Sequence, residues 1–203
     1  MIIQSYVHEF LKILSELGID ILHKEEKLTN IVCEIYDKID EDDFNKESFE
    51  HELLETIGCS IYNEETKICM PVTNKVFTQA MEVEIKSMYT NFLNGVSLIT
   101  EGDIEITDIE EDISKVDMET GNGIHSVRFK CDKKDYKFDG KSHYDWFDES
   151  IISFMNNIFD DKKSEKFLYT IQFGYYSDIL FYNTEKWAEQ FKEKTNIKYL
   201  EKL

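Results

Sequence analysis

Proline is nearly missing from this chain: Pro71 is the only one in 203 residues, and just eight glycines accompany it. Breakers that sparse leave no Pro-rich or Gly/Ser-rich stretch to act as a flexible linker, so any domain junction is short. Arginine is nearly missing too. Arg128 stands alone, and 42 acids outnumber 23 basic residues to give a net charge of −19. Such a chain repels phosphates instead of releasing their counterions, which argues against nucleic acid as a direct ligand.

Long hydrophobic runs are also lacking. No apolar stretch approaches the roughly 20 residues that span a bilayer, so no membrane partner is expected. The first residues, MIIQSYVHEFLKILSEL, have neither a basic leader nor a small-residue cleavage site, and His8, Glu9, Lys12 and Glu16 interrupt their apolar positions. A cytoplasmic location is the expectation. Cys33, Cys59, Cys69 and Cys131 show neither the close pairs of a zinc site nor the density of a disulfide scaffold, and read as buried thiols.

Catalytic signatures are absent as well. There is no nucleophile elbow, Walker loop or dinucleotide fingerprint. His8, His23, His51, His125 and His143 are scattered without metal-ligand spacing. The acidic stretches 37–48 and 103–114 lack the sixth-position glycine of a calcium loop. No catalytic residue, metal or cofactor is therefore expected, and the chain reads as a binding protein.

Aromatic residues are plentiful, with 14 Phe and 11 Tyr, enough to build a core despite the charge. Residues 2–17 carry Tyr6, Val7, Phe10 and Leu14 at helical spacing, with Gly18 as a stop. Residues 26–39 predict a second helix. A third begins near Asp43 or Ser48 and ends at Gly58. A long run over 74–93, capped by Thr73 or Asn74 and closed by Gly95, predicts a fourth.

Past residue 95 the period turns from helical to alternating. Ile104, Ile106 and Ile109 alternate with acids, then Ile113, Val116 and Met118 form a looser strand. Gly121 and Gly123 mark a turn, the strand His125, Val127, Phe129, Cys131 follows, and a second turn at Lys133–Lys134 leads to Tyr136 and Phe138. A helix from Asp145 to Phe159, strands over 167–173 and 178–182, and a last helix capped by Thr184 complete the chain. The fold class is α+β: a helical region, 1–95, followed by an α+β region, 96–203, in which two helices cover a mainly antiparallel sheet, the whole either divided or one continuous domain.

The charge is local. Residues 1–58 hold 15 acids against 5 lysines, and residues 101–123 hold 9 acids against Lys115. Residues 124–203 are neutral, with 14 of each sign. The densest pieces are Asp40, Glu41, Asp42 and Asp43, and the run Asp103, Glu105, Asp108, Glu110, Glu111 and Asp112. On a strand, Asp103 and Glu105 project from one face. Like charges so close repel, and a basic partner would offset that cost while speeding encounter. Tyr175 and Tyr176, with Asp178, sit on a Gly174 turn and add candidate anchors.

The segments GNGIHSVRFK, KDYKF, DWFDESIISFMNNIF, KFLYTIQFG and DILFYNTEKWAEQF, in that order behind an acidic strand, resemble the immunity proteins of bacterial contact-dependent and polymorphic toxin systems. The resemblance covers residues 100–199. It implies a cytoplasmic antidote that binds one cognate basic toxin domain, often a nuclease, and occludes its active site. A regulatory or scaffold module that binds some other basic protein is the alternative, and an enzyme with a site assembled across both halves is the third. A toxin gene directly upstream separates the first two, and a deep pocket with convergent titratable groups would mark the third.

Overall fold

A computed structural model of the chain describes residues 2–21, 44–59, 61–63, 68–173 and 176–203. The helix expected over 26–39 and the acids Asp40 to Asp43 lie outside the described residues.

Helix α1 (Ile2–Glu16) ends as its sequence dictates. Gly18 takes φ +78°, its N–H reaches the carbonyl of Ser15 (2.9 Å), and the Ile19 N–H returns to Leu14 (2.8 Å), the double closure that a left-handed glycine allows. Helix α2 (Lys46–Gly58) is capped by Asn45, whose side chain accepts from the Ser48 N–H at 3.1 Å. Two short strands, β1 (Ile61–Asn63) and β2 (Ile68–Met70), pair antiparallel behind it.

The helix expected over 74–93 is not one element. Residues Phe77–Ala80 form a strand, β3, and helix α3 runs later, from Met88 to Ile99. Val76 and Ala80 fit helical spacing, yet Val76, Phe77, Thr78 and Gln79 are all buried. A segment enclosed on both faces gains more by pairing with a neighbouring strand than local propensity offers. Gly95 does not stop α3 but lies inside it. A Cβ there would sit 2.4 Å from the Phe77 ring, so the glycine lets helix and strand touch.

Strands β4 (Ile106–Val116), β5 (Asn122–Cys131) and β6 (Lys134–His143) form an antiparallel meander. Asp132 and Lys133, both left-handed, make the two-residue turn between β5 and β6, one residue earlier than expected. Helix α4 spans Ser150–Asp161, starting later than the expected Asp145. Asp148 accepts from the Ser150 N–H (3.1 Å), while the Asp145 carbonyl is held by the Val83 N–H (2.8 Å). The register of the loop, not its first acid, therefore fixes the helix start. Strands β7 (Lys166–Phe173) and β8 (Ser177–Thr184) form a hairpin, and the Thr184 side chain caps α5 (Glu185–Lys194) by accepting from the Trp187 N–H at 3.2 Å.

The chain is α+β, but its strands divide into two three-stranded antiparallel sheets, ordered β3-β8-β7 and β4-β5-β6, beside the small β1-β2 ladder. The pairing of β3 with β8 joins residues from either side of position 95. One core gathers α1, α2, α5 and one face of the first sheet, through Phe10, Phe49, Ile171, Phe181 and Phe191. The other gathers the opposite face of that sheet (Phe77, Leu168, Leu180), helices α3 and α4, and the inner face of the second sheet (Val127, Phe129, Phe138). Helices α3 and α4 thus lie between two sheets and are apolar on both sides. Cys131 is a free buried thiol, its pKa pushed up to about 11 by burial. The reading of all four cysteines as thiols is corrected at Cys59, which is disulfide-bonded.

Candidate functional site

The acidic run does not form one negative row. Its residues sort by strand alternation and by two irregularities in β4, between Thr107 and Glu110 and between Asp112 and Lys115. Asp103 precedes the strand and meets Lys166 at 2.5 Å. Glu105 is exposed, and its backbone N–H is tied to Asp132 at 2.8 Å. Asp108, left-handed at φ +52°, meets Lys130 at 2.5 Å. Glu110 stands opposite Arg128 in register. The Asp112 carboxyl is held below its ordinary range by hydrogen bonds from Ser114.

Glu111 turns inward. Its Oε1 accepts from the Thr90 N–H in the first turn of α3 (2.6 Å), and Oε2 lies 2.6 Å from Nε2 of His125, in contact but off the hydrogen-bonding axis. The Tyr89 ring packs on His125 with centroids 4.5 Å apart, and Gly140 leaves room for the Tyr89 hydroxyl. Burial, with the nearby Asp148 and Glu111 carboxyls, holds the Tyr89 phenol far above its ordinary pKa. Here acid, imidazole and phenol converge as in a catalytic group. Yet Tyr89 and His125 are 0% and 1% exposed, so the cluster is sealed and serves to fasten β4 onto α3.

Cross-strand pairing neutralises the outer face of the second sheet. Asp108, Glu110, Asp112, Asp135 and Asp139 share it with Lys115, Arg128, Lys130, Lys137 and Lys141, five of each sign. A groove of about 620 Å³ runs between them, lined by Asp108, Glu110, Arg128, Lys130, Asp135 and Lys137. A second cleft, of about 560 Å³, is bridged by the Lys162–Asp132 and Lys166–Asp103 pairs. Among the described residues, no group of three or more His, Cys, Asp or Glu is placed to hold a metal ion.

Of the hairpin-tip residues, Tyr176 is 78% exposed, as an anchor must be, and Tyr175 lies outside the described residues. Asp178 departs from expectation: it is 2% exposed, because it faces the inter-sheet core between Gln79 and Gln172 on the neighbouring strands. Burial, with Glu149 adding to it, pushes its pKa up to about 7. In this conformation it cannot touch a partner.

A surface the sequence did not single out lies where β4 turns into β5. Met118 is 63% exposed and Tyr144 53% exposed. Tyr144 takes φ +55°, a strained conformation for an aromatic residue, with its ring against Gly121. Asp117 and Glu119 flank Met118, and Asp145 follows Tyr144. No ion pair among the described residues engages these three acids. The Asp117 carboxyl is held below its ordinary range by the Glu119 N–H and the Thr120 hydroxyl, so it stays ionised. The one signal in the sequence was Tyr144 within the aromatic and acidic segment 143–148.

Comparison with known protein families, curated proteins and solved structures finds no match.

Proposed function

We propose that this chain is a non-catalytic binding protein of the immunity type, which captures a basic toxin domain, a nuclease being the best fit, and covers its active site. The observation that supports this most is the β4–β5 end of the second sheet. An aromatic and a thioether side chain stand exposed there beside three acids that no ion pair among the described residues engages, on a chain of net charge −19. Aromatic anchors supply binding energy, and a surrounding negative field steers a basic partner and sets its orientation. The acids of β4 itself contribute less than their number suggests, since several already meet the chain's own lysines.

A cytoplasmic site of action belongs to this reading. No helix among the described residues is long and apolar enough to cross a membrane. The Cys59 disulfide weighs the other way, because disulfides persist mainly in oxidising compartments.

The test is a pull-down with the product of the gene immediately upstream, together with growth rescue on co-expression. Wild-type chain should bind and rescue. The triple variant Asp117→Lys, Glu119→Lys, Tyr144→Ala should bind roughly a hundredfold more weakly, combining a lost aromatic anchor with reversed charge. Binding without rescue would favour a regulatory module for another basic protein. Neither binding nor rescue would end the immunity reading.

A further inference from the structure

The two outer strands of the second sheet are built differently, and the difference points to a second copy of this chain. Strand β4 carries the devices that keep an edge from pairing: two register shifts, a left-handed Asp108 and the inward-pointing charge of Glu111. Strand β6 has none of them over its first seven residues. Its pairing with β5 runs through ten residues without a shift, from Lys134 to His143. Among the described residues, no strand pairs with its other side.

The direction of the open backbone groups follows from the turn. Cys131 and Lys134 flank a two-residue turn and exchange hydrogen bonds, so alternate pairs beyond them do the same. Asp135, Lys137, Asp139 and Lys141 therefore direct N–H and C=O away from β5. The Lys141 N–H is already occupied by Asp148, at 2.7 Å, which among the described residues leaves Asp135, Lys137 and Asp139 open.

The side chains of these residues alternate in sign on one face. We propose that β6 pairs antiparallel with β6 of a second copy about a two-fold axis at Phe138, joining two three-stranded sheets into one of six. That register sets Lys137 against Asp139 of the second copy, and symmetry repeats the pair; Asp135 stands across from Lys141, whose N–H Asp148 already holds, so the pairing rests on the central residues. Neighbouring symmetric registers fail. An axis at Lys137 puts Lys137 on itself and Asp135 on Asp139, whereas an axis at Asp139 puts Asp139 on itself and Lys137 on Lys141. Within one copy, Lys137 faces Arg128 across the sheet and bridges to Asp139 two positions along its own strand at 2.6 Å, so on pairing the lysine and aspartate of each copy meet those of the other in a four-charge cluster of alternating sign.

Sedimentation velocity over a concentration series, at low and high salt, tests this with four chains. Wild type should form a dimer at tens of micromolar that weakens with salt, as exposed charge pairs do. Lys137→Asp and Asp139→Lys should each raise the dissociation constant roughly tenfold or more, because each sets like charges against one another twice. The double swap Lys137→Asp, Asp139→Lys restores opposite signs and should restore the dimer. Circular dichroism confirms that each variant is folded. A monomeric wild type overturns the proposal, as does a dimer that the single variants leave intact or that the double swap fails to recover.

Discussion

Asp178→Asn is expected to make the protein more stable at pH 8, not less. The folded-state pKa of Asp178 is pushed up to about 7 from an ordinary 3.8, chiefly by burial. A carboxyl whose pKa is raised on folding holds its proton in the folded chain while the unfolded chain has released it. Stability is therefore greatest below the unfolded value and falls as pH rises through the folded one. Three pH units correspond to about 4 kcal/mol lost between pH 4 and pH 7. Asparagine has the same shape, never ionises, and offers an N–H to the Gln79 oxygen, which has no hydrogen-bond partner among the described residues. Urea unfolding should give near-equal stabilities at pH 4 and an advantage of a few kcal/mol for the variant at pH 8. A variant less stable than wild type at both pH values would refute this account.

Glu50→Ala should have the largest destabilising effect of any charged-residue truncation on the helical side. Glu50 is 0% exposed yet accepts three hydrogen bonds, from the Tyr6 hydroxyl and from the Asn196 side chain and backbone, each at 2.7 Å. Those partners come from α1 and from the segment after α5, so one carboxylate ties three parts of the chain together. The Tyr6 phenol is driven far above its ordinary pKa by burial and by this same carboxylate. Removing the acceptor strands the buried Tyr6 hydroxyl, while exposed Asn196 can turn to water, at a cost of about 2 kcal/mol or more. A double-mutant cycle with Asn196→Ala should return a coupling of about 1 kcal/mol or more, as groups in one network do. Full additivity, or a loss below about 1 kcal/mol, would mean that water replaces the carboxylate.

Elements whose signal was local were legible in the sequence. Gly18 closed α1, Thr184 capped α5, and the β5–β6 hairpin fell within one residue of its place, because each depends on neighbours in the chain. Phe77 was misread for the opposite reason. Its helical neighbours Val76 and Ala80 fit a stripe, and only β8, a hundred positions away, makes the segment a strand. Gly95 was misread with it, since a glycine that admits a ring looks in sequence like one that ends a helix. In the acidic run the charges were visible but their partners were not. Lys130 and Lys166 come from β5 and β7, and Glu111 turns inward toward His125 on β5. Met118 and Tyr144 stand out only in the folded chain, where the turns push them outward, because apolar side chains in a sequence read as core.

Strand alternation in the second sheet separates two kinds of information. Val127, Phe129 and Phe138 face the helices, while Arg128, Lys130, Asp135, Lys137 and Asp139 face outward. Apart from Asp139, which accepts a hydrogen bond from the buried Ser126 hydroxyl, exchanges at the outward positions leave the buried contacts in place and cost at most about half a kcal/mol each. The charge pattern on this face is thus held apart from the residues that hold the fold, and a change in what the sheet pairs with need not unsettle the helices beneath it.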